Sequence, residues 1–530
     1  MNSNLSYAAR PNPNRGFVLA GLLLGMFFGA LEQTIVGTAL PSIMSDLNGL
    51  SIMSWITTAY MIGSTAVIPI AGKLSDIVGR RSIYGIGWLV FLVSSVLCAN
   101  AETMEQLIAF RALQGIGGGM IMPLTQIMIG DIFSPADRAK WQGAVGAVYA
   151  LSSILGPLLG GMIVDFASWH WIFWMNIPFG ILSTIFIFIG MANVDTNRQL
   201  VERQPIDWLG IVTFVPCLVL FLLGLSLDRE QYPWDSWMTL LLFGSSLIFL
   251  LGFIFIEKRA VQPIISLSLF KNRVFQICTA LSFLIGLSLF GAIMFVPLFM
   301  QGIVGVSPVE AGSTMTPLMI AMIITSIIGT RLLIKIRYRT LLSIGMITCV
   351  LGFYFMSMMG VTTTIAQASI AMVVLGLGIG LVMPAITVIV QNSFSKDQLG
   401  TVTSTSTFFR SIGGAIGTAL FNVIMNEAIK LNMTDAINHS EPALKTALEQ
   451  TGTHSDDLYA LITSTNTLSG SGSPELHSAL LTTVKSAWAN SFSSVYIWAF
   501  GIAALGIILT LFIGNGRIEP NGSKSKSSEM

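Results

Sequence analysis

Apolar stretches of about 20 residues, each closed by a short polar segment, recur along nearly the whole chain. Fourteen windows have the length and hydropathy of a membrane span: 16–41, 52–72, 82–100, 104–130, 140–164, 170–191, 206–227, 237–256, 274–301, 310–334, 340–360, 362–391, 398–427 and 490–514. The runs are long and continuous, where a membrane β-barrel would give short alternating segments. The pattern predicts an all-α polytopic membrane protein.

Composition agrees. Of 530 residues, 53% are hydrophobic and 10% charged, against about 25% charged in soluble domains. The net charge of +1 points to no nucleic acid or other highly charged partner. Cys98, Cys217, Cys278 and Cys349 all lie inside apolar runs, as small packing residues and not as a disulfide or metal framework. The first apolar run is too long for a signal-peptide core and reads as an uncleaved first span.

Placing the N-terminus inside the cell puts 21 of the 27 basic residues on inner segments or at the inner ends of spans. Arg229, Lys430, Lys445 and Lys485 fall outside, and Arg111 and Arg410 fall within spans. The opposite orientation breaks the positive-inside rule in nearly every loop. The even span number then returns the C-terminus to the cytoplasm, in a multi-pass cell-membrane protein.

Polar linkers at 191–205 and 257–273 bracket two spans that look inserted. The expected organisation is a cytoplasmic tail (1–15), a six-span bundle (16–191), linkers with two accessory spans (192–273), a second six-span bundle (274–514) and a tail (515–530). The second bundle includes a polar outer segment of about 428–488. Within it, ALKTALEQTGTHSDDLYALITS has helical periodicity, so it reads as a lid-like hairpin or as a loop. His439, His454 and His477 lie there without metal-ligand spacing. An internal repeat is also visible: Gly115-Ile-Gly-Gly-Gly-Met-Ile-Met-Pro123 aligns without a gap to Gly376-Leu-Gly-Ile-Gly-Leu-Val-Met-Pro384. Gly156 meets Gly417 at the same offset. Repeated halves in a helical membrane protein favour a transporter with its site between them.

One carboxylate interrupts the first span. Glu32 lies about 13 Å below the outer end at Pro41, where a charge costs about 3 kcal/mol on insertion scales. A residue at that depth is expected to face an internal cavity, and its simplest use is to take up and release a proton. The alternative is a structural acid held by a neighbouring Arg or amide. Arg111 of the fourth span lies at similar depth, with Gln114 one turn on, so a Glu32–Arg111 pair is expected. Burial favours the neutral acid and a neighbouring cation the ionised one, so movement or substrate binding shifts that balance. Arg111 also reads as a plain helix–helix clamp.

Gly72-Lys-Leu-Ser-Asp-Ile-Val-Gly-Arg-Arg81 fills the tight turn between the second and third spans. Gly72 and Gly79 permit turning and close approach. Asp76 and Arg80 are placed to pair with each other or with a helix end. This stretch resembles the signature of the major facilitator superfamily. Arg111-Ala-Leu-Gln-Gly-Ile-Gly-Gly-Gly119 resembles the family's fourth-helix motif, and Gly156-Pro-Leu-Leu-Gly-Gly161 its antiporter-associated fifth-helix motif. Leu31-Glu-Gln-Thr-Ile-Val-Gly-Thr-Ala-Leu-Pro41 and Trp169-His-Trp-Ile-Phe-Trp-Met-Asn-Ile-Pro178 are similar to the fourteen-helix drug:proton antiporter branch. That branch often carries Asp where this chain has Glu32. Gly329 to Arg339 is only a degraded second copy of the first signature.

The resemblance implies two six-helix bundles plus two accessory helices, working by alternating access. It implies proton coupling at Glu32 and Arg111, and conformational gating at Gly72, Asp76, Gly79, Arg80, Arg81, Gly156 and Pro157. Candidate cavity residues are Phe28, Gln33, Trp55, Tyr60, Gln114, Tyr149 and Arg410; Arg410 reads equally as a donor to a neighbouring helix's carbonyls. The expected activity is proton-coupled efflux of lipophilic, cationic or neutral compounds by a monomer. The proton serves as coupling ion, and no cofactor or metal is expected. A dedicated exporter of one metabolite, peptide, siderophore or lipid is the alternative. An enzyme is disfavoured because no His lies deep in a span and no nucleophile–base spacing is evident. A channel is disfavoured more weakly, by the repeat and its single buried acid.

Overall fold

The structure, a computed structural model, describes residues 14–47, 52–53, 55–192, 205–227, 229, 231–306, 308–440, 444–445 and 474–517. Among these residues there is no strand, and fourteen helical stretches are long and apolar enough to cross a membrane. In chain order the first helices are α1 (Arg15–Leu47), α2 (Trp55–Val78), α3 (Arg80–Ala99), α4 (Met104–Ile132) and α5 (Pro135–Phe166). Next come α6 (His170–Trp174), α7 (Asn176–Gly190), α8 (Trp208–Ser226), α9 (Trp237–Glu257) and α10 (Arg273–Phe299). The remainder are α11 (Pro308–Ser313), α12 (Thr316–Leu332), α13 (Tyr338–Ser357), α14 (Ile365–Asn392), α15 (Leu399–His439) and α16 (Pro474–Thr510).

Local chemistry sets several starts. Thr103 accepts from the Gln106 N–H ahead of α4, and Ser134 from Asp137 N–H ahead of α5, where Pro135 takes the first turn. The sixth expected span breaks in two at Trp174–Met175. Pro178, in the first turn of α7, has no N–H to offer the carbonyl four residues back, so the helical hydrogen-bond ladder is interrupted there.

The outer segment differs most from expectation. α15 continues to His439, past the hydropathy boundary at 427, and α16 begins at Pro474, before 490. Both extensions keep an apolar stripe at helical spacing: Ala428, Ile429 and Met433 are buried in one, Leu480, Val484 and Ala487 in the other. Asn432 Nδ2 donates to Ser491 Oγ at 2.9 Å. Hydropathy misses these turns because their other face is polar. The candidate hairpin at 443–464 lies almost wholly outside the described residues.

By packing, the described residues of Met1–Cys278 and Ile386–Phe408 form unit 1, and those of Thr279–Ala385 and Phe409–Arg517 form unit 2. In unit 1, α4 packs on α2 and α3, α1 on α5 and α7, and α8 on α9 and α2. The α4 glycines make these approaches possible. A Cβ at Gly115 would sit 2.2 Å from Tyr60 O, at Gly119 2.3 Å from Ser64 O, and at Gly117 2.8 Å from Gly87 O.

Unit 2 repeats the arrangement. A Cβ at Gly376 would lie 2.3 Å from Leu318 O, at Gly380 2.5 Å from Met322 O, and at Gly378 2.8 Å from Gly345 O. The glycines stand 261 positions apart, and the residues they meet are a constant 258 apart (Tyr60 and Leu318, Ser64 and Met322, Gly87 and Gly345). The sequence repeat is therefore also a packing repeat.

Candidate functional site

Glu32 sits at the middle of α1 and points into unit 1. Arg111 Nη1 donates to its Oε1 at 2.6 Å, and Asn176 Nδ2 to its Oε2 at 2.7 Å. The same Arg111 nitrogen donates to Gln114 Oε1 at 2.6 Å. Gln114 Nε2 donates to Ser95 Oγ at 2.7 Å, and Asn176 Nδ2 reaches Ser95 Oγ at 3.3 Å. Five side chains from α1, α3, α4 and α7 thus close a ring of hydrogen bonds. The Tyr60 ring lies 4.5 Å from the Arg111 guanidinium and adds a cation–π contact.

The ring is buried. The Glu32 side chain is 0% exposed and that of Arg111 1%. This corrects the expectation that Glu32 faces a cavity. The turn of α1 aims Glu32 between α4 and α7, whereas the next residue, Gln33, is exposed. At Gly29 and Gly37, one turn either side of Gln33, a Cβ would meet nothing within 4 Å. The open face of α1 therefore carries Gln33, with Glu32 directly behind it.

The other cavity candidates separate. Gln33 Nε2 lies 3.7 Å from Met122 Sδ, and Gln33 and Tyr149 both interact with Tyr60. Gln114 belongs to the buried ring. Phe28 is corrected: it is 5% exposed and stacked 3.9 Å from the Phe179 ring, so it is a core residue of the α1–α7 contact. Trp55 is half-buried at the start of α2. Arg410 is half-buried in unit 2, where its carbonyl would lie 2.1 Å from a Cβ at Gly286.

The gating candidates on the α2–α3 turn form a second polar cluster in unit 1. Gly79 has φ +112°, a left-handed backbone that favours glycine. Asp76 Oδ1 pairs with Arg80 Nη1 at 2.5 Å, and Arg80 Nε reaches Asp131 Oδ2 at 2.8 Å. Asp76 also accepts from the first amides of α15: Gly400 N at 3.1 Å, Thr401 N at 2.9 Å, and Thr401 Oγ1 at 2.9 Å. A carboxylate at a helix N-terminus meets unpaired N–H groups and the positive end of the helix dipole. At Gly72 a Cβ would meet Ser404 Oγ at 2.0 Å. Arg81 stacks over Phe188 at 4.4 Å. At Gly156, on α5, a Cβ would meet Thr34 Oγ1 of α1 at 2.0 Å, and the following Pro157 is exposed.

Ser95 and Asn176 were not among the residues expected at the site. Asn176 carried a signal, as the one amide in the apolar run Trp169 to Pro178; Ser95, a serine in an apolar helix, carried none.

Residues 22–418 match the Major Facilitator Superfamily. The chain is 42% identical to the multidrug transporter protein MdtP of Bacillus subtilis (strain 168), over 97% of each chain. It is 34% identical to multidrug resistance protein 3 of the same strain, over 97% of this chain and 98% of that one. Among solved structures, the proton:xylose symporter XylE superposes with TM-score 0.60 at 12% identity, over 94% of this chain and 96% of that one. The human organic anion transporter MFSD10 superposes with TM-score 0.58 at 14% identity, over 93% and 100%.

Proposed function

The chain belongs to the major facilitator superfamily of transporters, and on that premise we propose that it exports lipophilic, cationic or neutral compounds in exchange for protons, with Glu32 as the coupling carboxyl. The proposed orientation has both termini in the cytoplasm, supported by the distribution of Lys and Arg. Relatives named as multidrug transporters support the class of cargo.

The observation that carries the reading is the sealed ring around Glu32. Arg111 and Asn176 each donate to one oxygen of the carboxylate, and protonating it gives up the charge attraction to Arg111. Once Glu32 is neutral, the buried guanidinium loses its counter-charge and must find another partner. Proton uptake at Glu32 is then inseparable from a shift of α1 against α4, which is what an antiporter requires. The open face beside it, with Gln33 and Tyr149, is the proposed substrate approach. A proton entering from outside neutralises Glu32, weakens the hold on a cationic substrate and favours its departure. Return to the inward-facing state releases the proton to the cytoplasm.

The test is transport by the purified protein in proteoliposomes with an imposed pH gradient and a panel of dyes and antibiotics. Glu32→Gln is expected to abolish uphill export. Glu32→Asp keeps an ionisable group with a shorter reach and is expected to retain coupled export at a reduced rate. Undiminished uphill export by Glu32→Gln would overturn the assignment.

A further inference from the structure

The α12–α13 turn of unit 2 repeats the α2–α3 turn of unit 1 without its acid. In unit 1, Arg80 is held by Asp76 and Asp131. The contacts that recur at a constant offset of 258 lie on both sides of the turn, on α2 and α3 and again on α12 and α13. The two turns are therefore equal in length, and Asp76 corresponds to Ile334, Arg80 to Tyr338 and Arg81 to Arg339. Four cations, Arg331, Lys335, Arg337 and Arg339, stand at the second turn, and no Asp or Glu occurs in 329–364 or in 487–517.

A groove of about 390 Å³ opens beside this turn. Arg337, Arg339, Thr340 and Asn515 line its polar end, and Ile344 and Ile347 its apolar end. Ser343 Oγ meets Thr510 Oγ1 at 2.7 Å and fixes α13 to the end of α16. Gly514, at φ +86°, turns the chain after α16, and Tyr338 N donates to Gly516 O at 3.0 Å. Arg337 and Arg339 are exposed, and among the described residues neither side chain has a hydrogen bond, ion pair or ring contact. The amides of Arg339 and Thr340, in the first turn of α13, likewise have no acceptor among the described residues.

Phosphate is the chemistry this arrangement suits, because guanidinium forks bind its oxygens in pairs and first-turn amides favour an anion. The apolar end decides what carries the phosphate. Ile344, Ile347 and Leu351 are exposed on one face of α13, and Ile347 lies about 12 Å along the helix from Arg339. A soluble anion leaves that face bare, whereas a lipid covers both ends at once. We propose that the groove binds an anionic phospholipid, with its phosphate on Arg337 and Arg339 and an acyl chain along Ile344, Ile347 and Leu351. The lipid supplies in unit 2 the counter-charge that Asp76 supplies in unit 1. The site shares no residue with the Glu32 ring. Its assignment to the cytoplasmic leaflet rests on the orientation proposed above; the site itself does not.

The test is lipid retention by the detergent-purified full chain, read by native mass spectrometry during titration with phosphatidylglycerol or with phosphatidylcholine of the same acyl chains. The wild type is expected to retain phosphatidylglycerol in preference and to lose it as salt rises. A basic residue at an anionic lipid surface is worth about fivefold in affinity, so Arg337→Gln combined with Arg339→Gln should weaken phosphatidylglycerol binding roughly 25-fold. Arg331→Gln combined with Lys335→Gln removes two cations of the same turn that do not line the groove, and should weaken it by no more than about fivefold. All four side chains are exposed, so both double variants are expected to fold, and the salt response of the wild type needs no variant. Inorganic phosphate at the concentration of the lipid should leave the lipid bound. Equal retention of the two lipids by the wild type, equal losses in the two double variants, or displacement by inorganic phosphate would each overturn the proposal. Glu32→Gln should retain the lipid as the wild type does, so this site and the coupling carboxyl can fail independently.

Discussion

At the scale of single residues, the Glu32 ring is a set of mutual obligations in a buried site. Removing one partner of a buried ion pair leaves an uncompensated charge, which costs roughly 3–5 kcal/mol. Arg111→Ala is therefore expected to lower thermal stability by that order as well as to abolish coupled transport, measured by unfolding in detergent and by the proteoliposome assay. Asn176→Leu takes away one hydrogen bond to a charged group and should cost about 1.5–3 kcal/mol, with Arg111 still in place. A stability loss for Asn176→Leu as large as that for Arg111→Ala would mean that the amide, and not the ion pair, holds the ring. The depth of Glu32 and the reach of Arg111 were legible from helix geometry, because both lie at a similar distance from the outer ends of their spans. The sealing of the ring was not: it depends on the rotation of α1, which turns Glu32 inward and Gln33 out by a single residue's angle.

At the scale of elements, contacts between helices are set by where side chains are missing. Gly119 admits the backbone of α2 at a separation that a Cβ would reduce to 2.3 Å from Ser64 O. Since the obstacle is backbone, no rotamer change relieves it. Gly119→Val is expected to force α2 and α4 apart and to reduce folded yield, read by size-exclusion chromatography of the detergent-solubilised protein. Gly380→Val, at the matching place on α14 against Met322 O, should do the same in unit 2. A mild effect at one position with a severe effect at the other would mean that the two packing repeats are not energetically equivalent. The repeat was readable as aligned glycines in the sequence, since close helix packing demands small residues at fixed spacing. The ends of α15 and α16 were not readable, because amphipathic turns beyond the bilayer average out in a hydropathy window.

At the scale of the whole molecule, the topology rests on charge bias and is directly testable. All four native cysteines are buried, so background labelling by a membrane-impermeant thiol reagent should be low. Asp235→Cys, between α8 and α9, should be labelled from outside intact cells, and Ser266→Cys, between α9 and α10, only after permeabilisation. The reverse pattern would invert the proposed orientation, and with it the direction assigned to the proton.

The amino-acid sequence by itself determined the solvent this chain folds in, the number of its spans, the repeat that relates its halves and the presence of a carboxylate and an arginine in the apolar region. These follow from length, hydropathy and spacing, which are local properties. Tertiary structure alone decided that Ser95 and Asn176 complete the ring around Glu32, and that Phe28 is core. Those outcomes depend on which face of each helix turns toward which neighbour. In a span that is apolar on every side, no local pattern of residues encodes that choice; packing does.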